Sequence, residues 1–122
     1  MNDEEKVLAD VLDRWSAEIA AHRSERVAAL FTEDAIFQGL HPYSVGRAGV
    51  AQYYDGQPLG LTAAYDLLET RRLAEGVILG YAFVEFTFTD RDPILVNLTV
   101  VLRHDGDEWR IAHYHVSRAT AE

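Results

Sequence analysis

Glu85 is the residue of this chain that most needs a chemical explanation. It interrupts Val77–Phe88, a segment otherwise made of β-branched, aromatic, aliphatic and small residues suited to a strand. Such a strand buries at least one face, and a buried carboxylate is costly unless it is hydrogen-bonded, paired or protonated. Glu85 is therefore either a pocket acid or base placed for proton transfer, or the ionic partner of Arg71, Arg72 or Arg103 on a neighbouring strand. His41 sits in Gly39–Gly46 beside Pro42, so it rides on a loop, where an imidazole can carry protons between ligand and water. A solvated loop residue is the plain alternative.

His113 and His115 stand two apart, sharing a pleat face with Trp109 and Ile111 and facing away from Tyr114 and Val116. Two histidines at this spacing can begin a metal site. A third ligand is needed, and no histidine, carboxylate or cysteine motif supplies it, so neither a bound metal nor any other cofactor is expected. The pair reads instead as hydrogen-bonding within a sheet or a subunit interface. Trp15, Phe37, Tyr53 and Tyr54 can line an aromatic cavity or fill a core, and a mixture is expected where helices meet a sheet. Asp34 follows a helix end and reads as a cap or an ion-pair partner.

The elements that must hold these groups follow a readable order. Asn2 and Glu5 have capping-box spacing, with an acidic first turn that complements the helix dipole. Val7, Leu8, Val11, Leu12, Trp15 and Ile19 recur at helical spacing and predict a first helix with one apolar stripe. Ser24 is placed to cap a short second helix that turns Val27, Leu30 and Phe31 inward. Ala35–Gln38 reads as a brief strand, Gly39–Gly46 as a loop, and Gly46–Asp55 as a third helix ended by Gly56, Pro58 and Gly60.

Beyond that point the period changes to two. Strands are predicted over Thr62–Ala74, Val77–Thr89, Ile94–His104 and Glu108–Ser117, with turns at Asp90–Pro93 and Asp105-Gly106-Asp107. Helices first and a meander after them predict an α+β fold. Val77–Thr89 and Ile94–His104 are apolar on both pleat faces, whereas the helices of so small a protein cover only one. The other face is expected to meet a second copy in a homodimer, unless bulges shift the parity.

Composition narrows the function. The 122 residues fit a single domain, 1–122. Absence of cysteine removes disulfides and thiolate chemistry and suits a reducing, cytoplasmic location. With 20 Asp+Glu against 11 Lys+Arg the formal charge is -9, so the basic footprint that nucleic acid or anionic membrane requires is missing. The acidic N-terminus does not read as a signal peptide, and no apolar run approaches the roughly 20 residues of a membrane helix.

Three strings then carry a resemblance. RVAALFTEDAIF (Arg26–Phe37) is similar to a helix running into a first strand, and VGRAGVAQYY (Val45–Tyr54) to a loop and third helix. DGDEWRIAHYHVS (Asp105–Ser117) is similar to the final hairpin and strand of the calcium/calmodulin-dependent kinase II association domain. With the element order, these strings resemble the nuclear transport factor 2-like superfamily, in particular its SnoaL-like branch. The resemblance implies a cystatin-like cone, a curved antiparallel sheet packed on three N-terminal helices, with a pocket between them. It further implies that Tyr114 and Val116 face that pocket.

Steroid isomerases of this fold use a tyrosine of the first helix, a protonated aspartate of the sheet and a carboxylate base on the first strand. Here those places hold Trp15, Thr99 or Val100, and Gln38 or Gly39. Trp15 can donate one N–H, but no base is evident. The association domain's pocket arginines fall on Glu85, Thr99 and Val116, so the resemblance does not imply a carboxylate ligand. The expected partner is a small apolar or aromatic molecule. Glu85 and His41 are the candidate acid and base of a proton-transfer isomerase, cyclase or dehydratase acting on a ketone or polyketide-like substrate. A non-catalytic binding module and a self-assembling domain are the alternatives.

Overall fold

The computed structural model describes residues 1–119. Helix α1 (Asp3–Ala20) opens with the expected capping box: Asn2 Oδ1 accepts from the Glu5 N–H at 2.8 Å, and Glu5 Oε1 accepts from the Asn2 N–H at 3.2 Å. Its stripe of Leu8, Val11, Leu12, Trp15 and Ile19 is buried. Helix α2 (Ser24–Ala29) starts one residue earlier than a Ser24 cap would allow. Arg23 holds the cap position and makes no side-chain capping bond.

Strand β1 (Phe31–Gln38) is longer than the brief strand expected, because Phe31 leaves the helix and joins the sheet. After the two-residue strand β2 (Ser44–Val45), Gly46 takes φ +95° and turns the chain into α3 (Arg47–Asp55). That angle is open to glycine and strained for most other residues. Strands β3 (Thr62–Ala74), β4 (Val77–Thr87), β5 (Ile94–Asp105) and β6 (Glu108–Arg118) form the meander at nearly the expected boundaries.

The six strands make one sheet in the order β2-β1-β6-β5-β4-β3. The β1–β6 pair is parallel and the others are antiparallel, so the sheet is mixed. This is the expected α+β cone with its curved sheet on three N-terminal helices. The helices cover the inner face, where Ile78, Ala82, Val84, Leu98, Val100 and Leu102 are buried beneath α1 and its neighbours. Gly80 permits the close approach of α1 to β4. A Cβ there would stand 2.4 Å from Leu8 Cδ2.

Two of the three bulges in the meander set the parity around the sheet's centre. One lets Leu68 escape between Leu67 and Glu69 of β3. The other adds Ala112 to β6 opposite the Val101/Leu102 step. As a result Ile111 points inward with Tyr114 and Val116, while His113 and His115 point outward. The strict period of two that placed both histidines beside Trp109 and Ile111 is thereby corrected. The outer face carries half-buried Leu79, Tyr81, Phe83 and Val101 and exposed Ile36 and Leu95. Among the described residues no helix covers this face.

Candidate functional site

A cavity of about 200 Å³ lies between the ends of β1, β4 and β6, the start of β5 and the last turn of α3. Strand β6 sets its axis. Residues two apart share a pleat face, so Tyr114, Val116 and Arg118 stand in file along one wall. Tyr114 is deepest and nearly inaccessible, Val116 is buried, and Arg118 is exposed at the mouth. Phe86 at the end of β4, Phe88 just past it and Ile94 on β5 supply an apolar wall. Tyr53 and Tyr54 supply the opposite side from α3.

The floor is a series of donors. Trp15 Nε1 donates to the Tyr54 hydroxyl at 3.1 Å, and the Tyr54 and Tyr114 hydroxyls bond to each other at 3.5 Å. All three side chains are buried. A hydroxyl has one hydrogen to give. The Tyr54–Tyr114 pair spends one of its two hydrogens between the rings, and the other has no acceptor among the described residues. Burial is the main cause that pushes both phenols well above the ordinary tyrosine range, and it raises Tyr53 as well. These groups are hydrogen-bond donors, not bases.

Leu40 and His41 close the mouth from the loop after β1. Gln38 holds that loop, its Nε2 donating to the carbonyls of Gly39 at 2.9 Å and His41 at 2.8 Å. The His41 ring lies 6.0 Å from that of Tyr53.

The structure thus gathers His41, Tyr53, Tyr54, Tyr114 and Val116 around one cavity. Trp15 and Phe37 stand behind its wall, Trp15 as the donor to Tyr54 and Phe37 stacked on Tyr114 with ring centroids 4.6 Å apart. Glu85 and Thr99 lie elsewhere. Buried Ala82 and Val84 fix even positions of β4 as inward, so Glu85 is exposed on the outer face, paired in register with Ala64 and Leu95. It is neither a pocket acid nor an arginine partner: Arg72 pairs with Glu4, Arg71 with Glu69 and Arg103 with Asp34. Thr99 shares that outer face, opposite Tyr81 and His115. Asp34 is an ion-pair partner as expected, and its bonds from Thr32 and Arg103 hold its carboxyl below the usual range.

The sequence reading missed Phe86, Phe88, Arg91 and Arg118. The first two lay in a strand whose inward parity was unknown. The two arginines were passed over because one follows a turn aspartate and the other lies at the end of the last strand. No group of three or more His, Asp or Glu residues suited to a metal gathers among the described residues, and the His113 and His115 rings lie 6.0 Å apart, centroid to centroid. No described helix is long and apolar enough to cross a membrane.

Comparison with known proteins agrees with the fold. The SnoaL-like domain family matches residues 8–122. No curated protein matches the chain. Among solved structures, a Xanthomonas campestris protein described as a calcium/calmodulin-dependent protein kinase II association domain is similar at TM-score 0.87 and 18% identity, over 99% of this chain and 91% of that one. A ketosteroid isomerase-like protein from Erwinia carotovora atroseptica reaches TM-score 0.81 at 20% identity, over 99% and 100% of the two chains. A Novosphingobium aromaticivorans protein described as a scytalone dehydratase reaches 0.80 at 13% identity, over 96% and 85%. At these identities the similarity concerns the fold.

Proposed function

The chain belongs to the SnoaL-like domain family, and from that premise we propose that it binds a small, mostly apolar molecule in the Tyr114 cavity, with the Tyr114 hydroxyl donating to an oxygen of the ligand. The observation that carries this reading is the donor series from Trp15 through Tyr54 to Tyr114, which ends at the cavity with one hydrogen unspent. In a low-dielectric wall such a donor is strengthened by the bonds behind it, and a carbonyl or ether oxygen that reaches it gains accordingly. The surrounding phenylalanines and tyrosines suit a ring or short hydrocarbon body. Titration with acetophenone against ethylbenzene tests the reading. The ketone is expected to bind more tightly, and Tyr114→Phe to remove the difference. Equal binding of the two by the unaltered protein would count against it.

A second reading, proton transfer on a bound ketone, is favoured by one observation: among the lining side chains His41 is the group able to act as a base near neutral pH. Exchange of the methyl protons of acetophenone into deuterated water, lost in His41→Gln, would support it. No exchange above the solvent rate leaves a binding protein. The Glu85–His41 acid–base pair is not part of either reading.

The uncovered outer face of the sheet completes the proposal. Leu79, Tyr81, Phe83 and Val101 form a contiguous half-buried apolar surface, which a second copy of the chain covers in a homodimer.

A further inference from the structure

The chain is strongly acidic, with 20 Asp+Glu against 11 Lys+Arg, yet its cavity mouth has the opposite character. None of the lining side chains among the described residues is a carboxylate, while Arg91 and Arg118 both stand at the rim. Arg118 has no ion-pair partner among the described residues. Arg91 is held against the cavity wall, its guanidinium 5.0 Å above the Phe88 ring, while two of its nitrogens donate to the neighbouring Asp90 at 3.1 and 3.4 Å. Arg118, with no ion-pair partner among the described residues, beside an apolar opening that presents no carboxylate side chain, makes this mouth more receptive to an anion than the rest of so acidic a protein.

Resting on the reading of this cavity as a ligand site, we infer that its ligand is a small aromatic or alicyclic carboxylate bound with the acid group at the mouth. The file along β6 gives the orientation. Arg118 meets the carboxylate in the fork geometry that guanidinium groups offer, Val116 and Phe88 flank the body, and Tyr114 receives an oxygen at the far end. Size agrees with a single ring and a short chain, since about 200 Å³ falls below the roughly 300–1,000 Å³ of drug-sized cavities. The arginines come from the turn after β4 and the end of β6.

Calorimetric titration of the full chain with 4-acetylbenzoate, 4-hydroxyphenylacetate and 4-hydroxycinnamate, each against its carboxamide, tests the inference. At least one acid is expected to bind about tenfold more tightly than its amide, a margin that narrows as salt is raised. In Arg91→Gln/Arg118→Gln, whose sites are exposed and whose melting temperature serves as the folding control, acid and amide are expected to bind alike. Amides that bind as well as the acids overturn the anion inference and leave the pocket standing. A preference that survives in the folded double variant also overturns it, because the anion then lies elsewhere. Binding of neither series overturns both the inference and the pocket reading beneath it.

Discussion

The Tyr54 and Tyr114 hydroxyls lie 3.5 Å apart, and Trp15 Nε1 donates to the Tyr54 oxygen at 3.1 Å, so Trp15 depends on Tyr54 and not on Tyr114. The two tyrosines therefore have unequal roles. Tyr54→Phe leaves the buried Trp15 N–H without an acceptor, a loss of about 1–3 kcal/mol. Tyr114→Phe removes only the terminal hydroxyl and is expected to cost about 1 kcal/mol or less. Urea denaturation of the two variants gives the order, and a larger loss for Tyr114→Phe would contradict the donor series.

Alkaline pH should expose the same network. Burial raises the Tyr54 and Tyr114 phenols above the ordinary tyrosine value of about 10, so the native state holds their protons more tightly than the unfolded chain does. Their contribution is fully present below pH ~10 and is lost as pH rises above it, because the unfolded state then gives up protons that the native state retains. Tyrosinate absorbance should accordingly show phenols that titrate only together with loss of the native circular dichroism. Early titration of every tyrosine in the folded protein would refute this.

Gly80 and Leu8 offer a packing test. A Cβ at position 80 meets Leu8 Cδ2 at 2.4 Å, and Leu8 is buried with little room to turn aside. Gly80→Ala is expected to destabilise by about 1–3 kcal/mol through overpacking. In a background of Leu8→Ala the added methyl enters vacated space, so the two changes should couple by about 0.5–3 kcal/mol. Additive losses in chemical denaturation would show that α1 does not rest on β4 at this point.

Glu85 is exposed on the outer face, with no cavity near it. Glu85→Gln should leave ligand titrations unchanged and shift the stability of the subunit by no more than about 0.5 kcal/mol. A large fall in ligand affinity would place this residue in a site that the sheet geometry excludes.

Val101 lies at the middle of the apolar outer face, in register with Leu79 and His113. Light scattering at micromolar concentration is expected to give a dimer for the natural sequence and a monomer for Val101→Asp. The substitution places a charge where a second copy would have to desolvate it. A monomeric natural sequence would remove the dimer.

Which parts of this were legible in the residues follows from what each signal measures. The α1 stripe from Val7 to Ile19 and the capping box at Asn2 are local patterns, and both appear as read. The meander was legible from β-branched runs and the Asp105-Gly106-Asp107 turn, with Gly106 at φ +67°. Parity was not. Val77–Thr89 is apolar at odd and even positions alike, and tertiary packing, such as that of Leu8 on Gly80 and the burial of Ile78, Ala82 and Val84, decides that even positions face inward. Reading Glu85 as buried chose the wrong face for that reason. Ala112 hid in the same way, since an alanine in a strand carries no mark of a bulge until its partner strand is known. The cavity's aromatic side from α3 was visible at Tyr53 and Tyr54. Its arginines were not, because charge at a strand end reads as solvated until a pocket is seen beside it.

The parallel pairing of β1 with β6 has a consequence for how the protein comes into being. Ile36 and Phe37 find their neighbours in His113 and Tyr114, far along the chain, and among the described residues β6 is the only bridge between β1–β2 and the rest of the sheet. A chain still emerging from the ribosome can make α1, α2 and the β3–β5 hairpins. It cannot seat Phe31 or Phe37 until the last strand is released. Contacts so distant in sequence close slowly and leave apolar surface bare in the interval. Synthesis that halts before Glu108 therefore yields no smaller version of the fold, only a sheet split in two and a substrate for chaperone or protease.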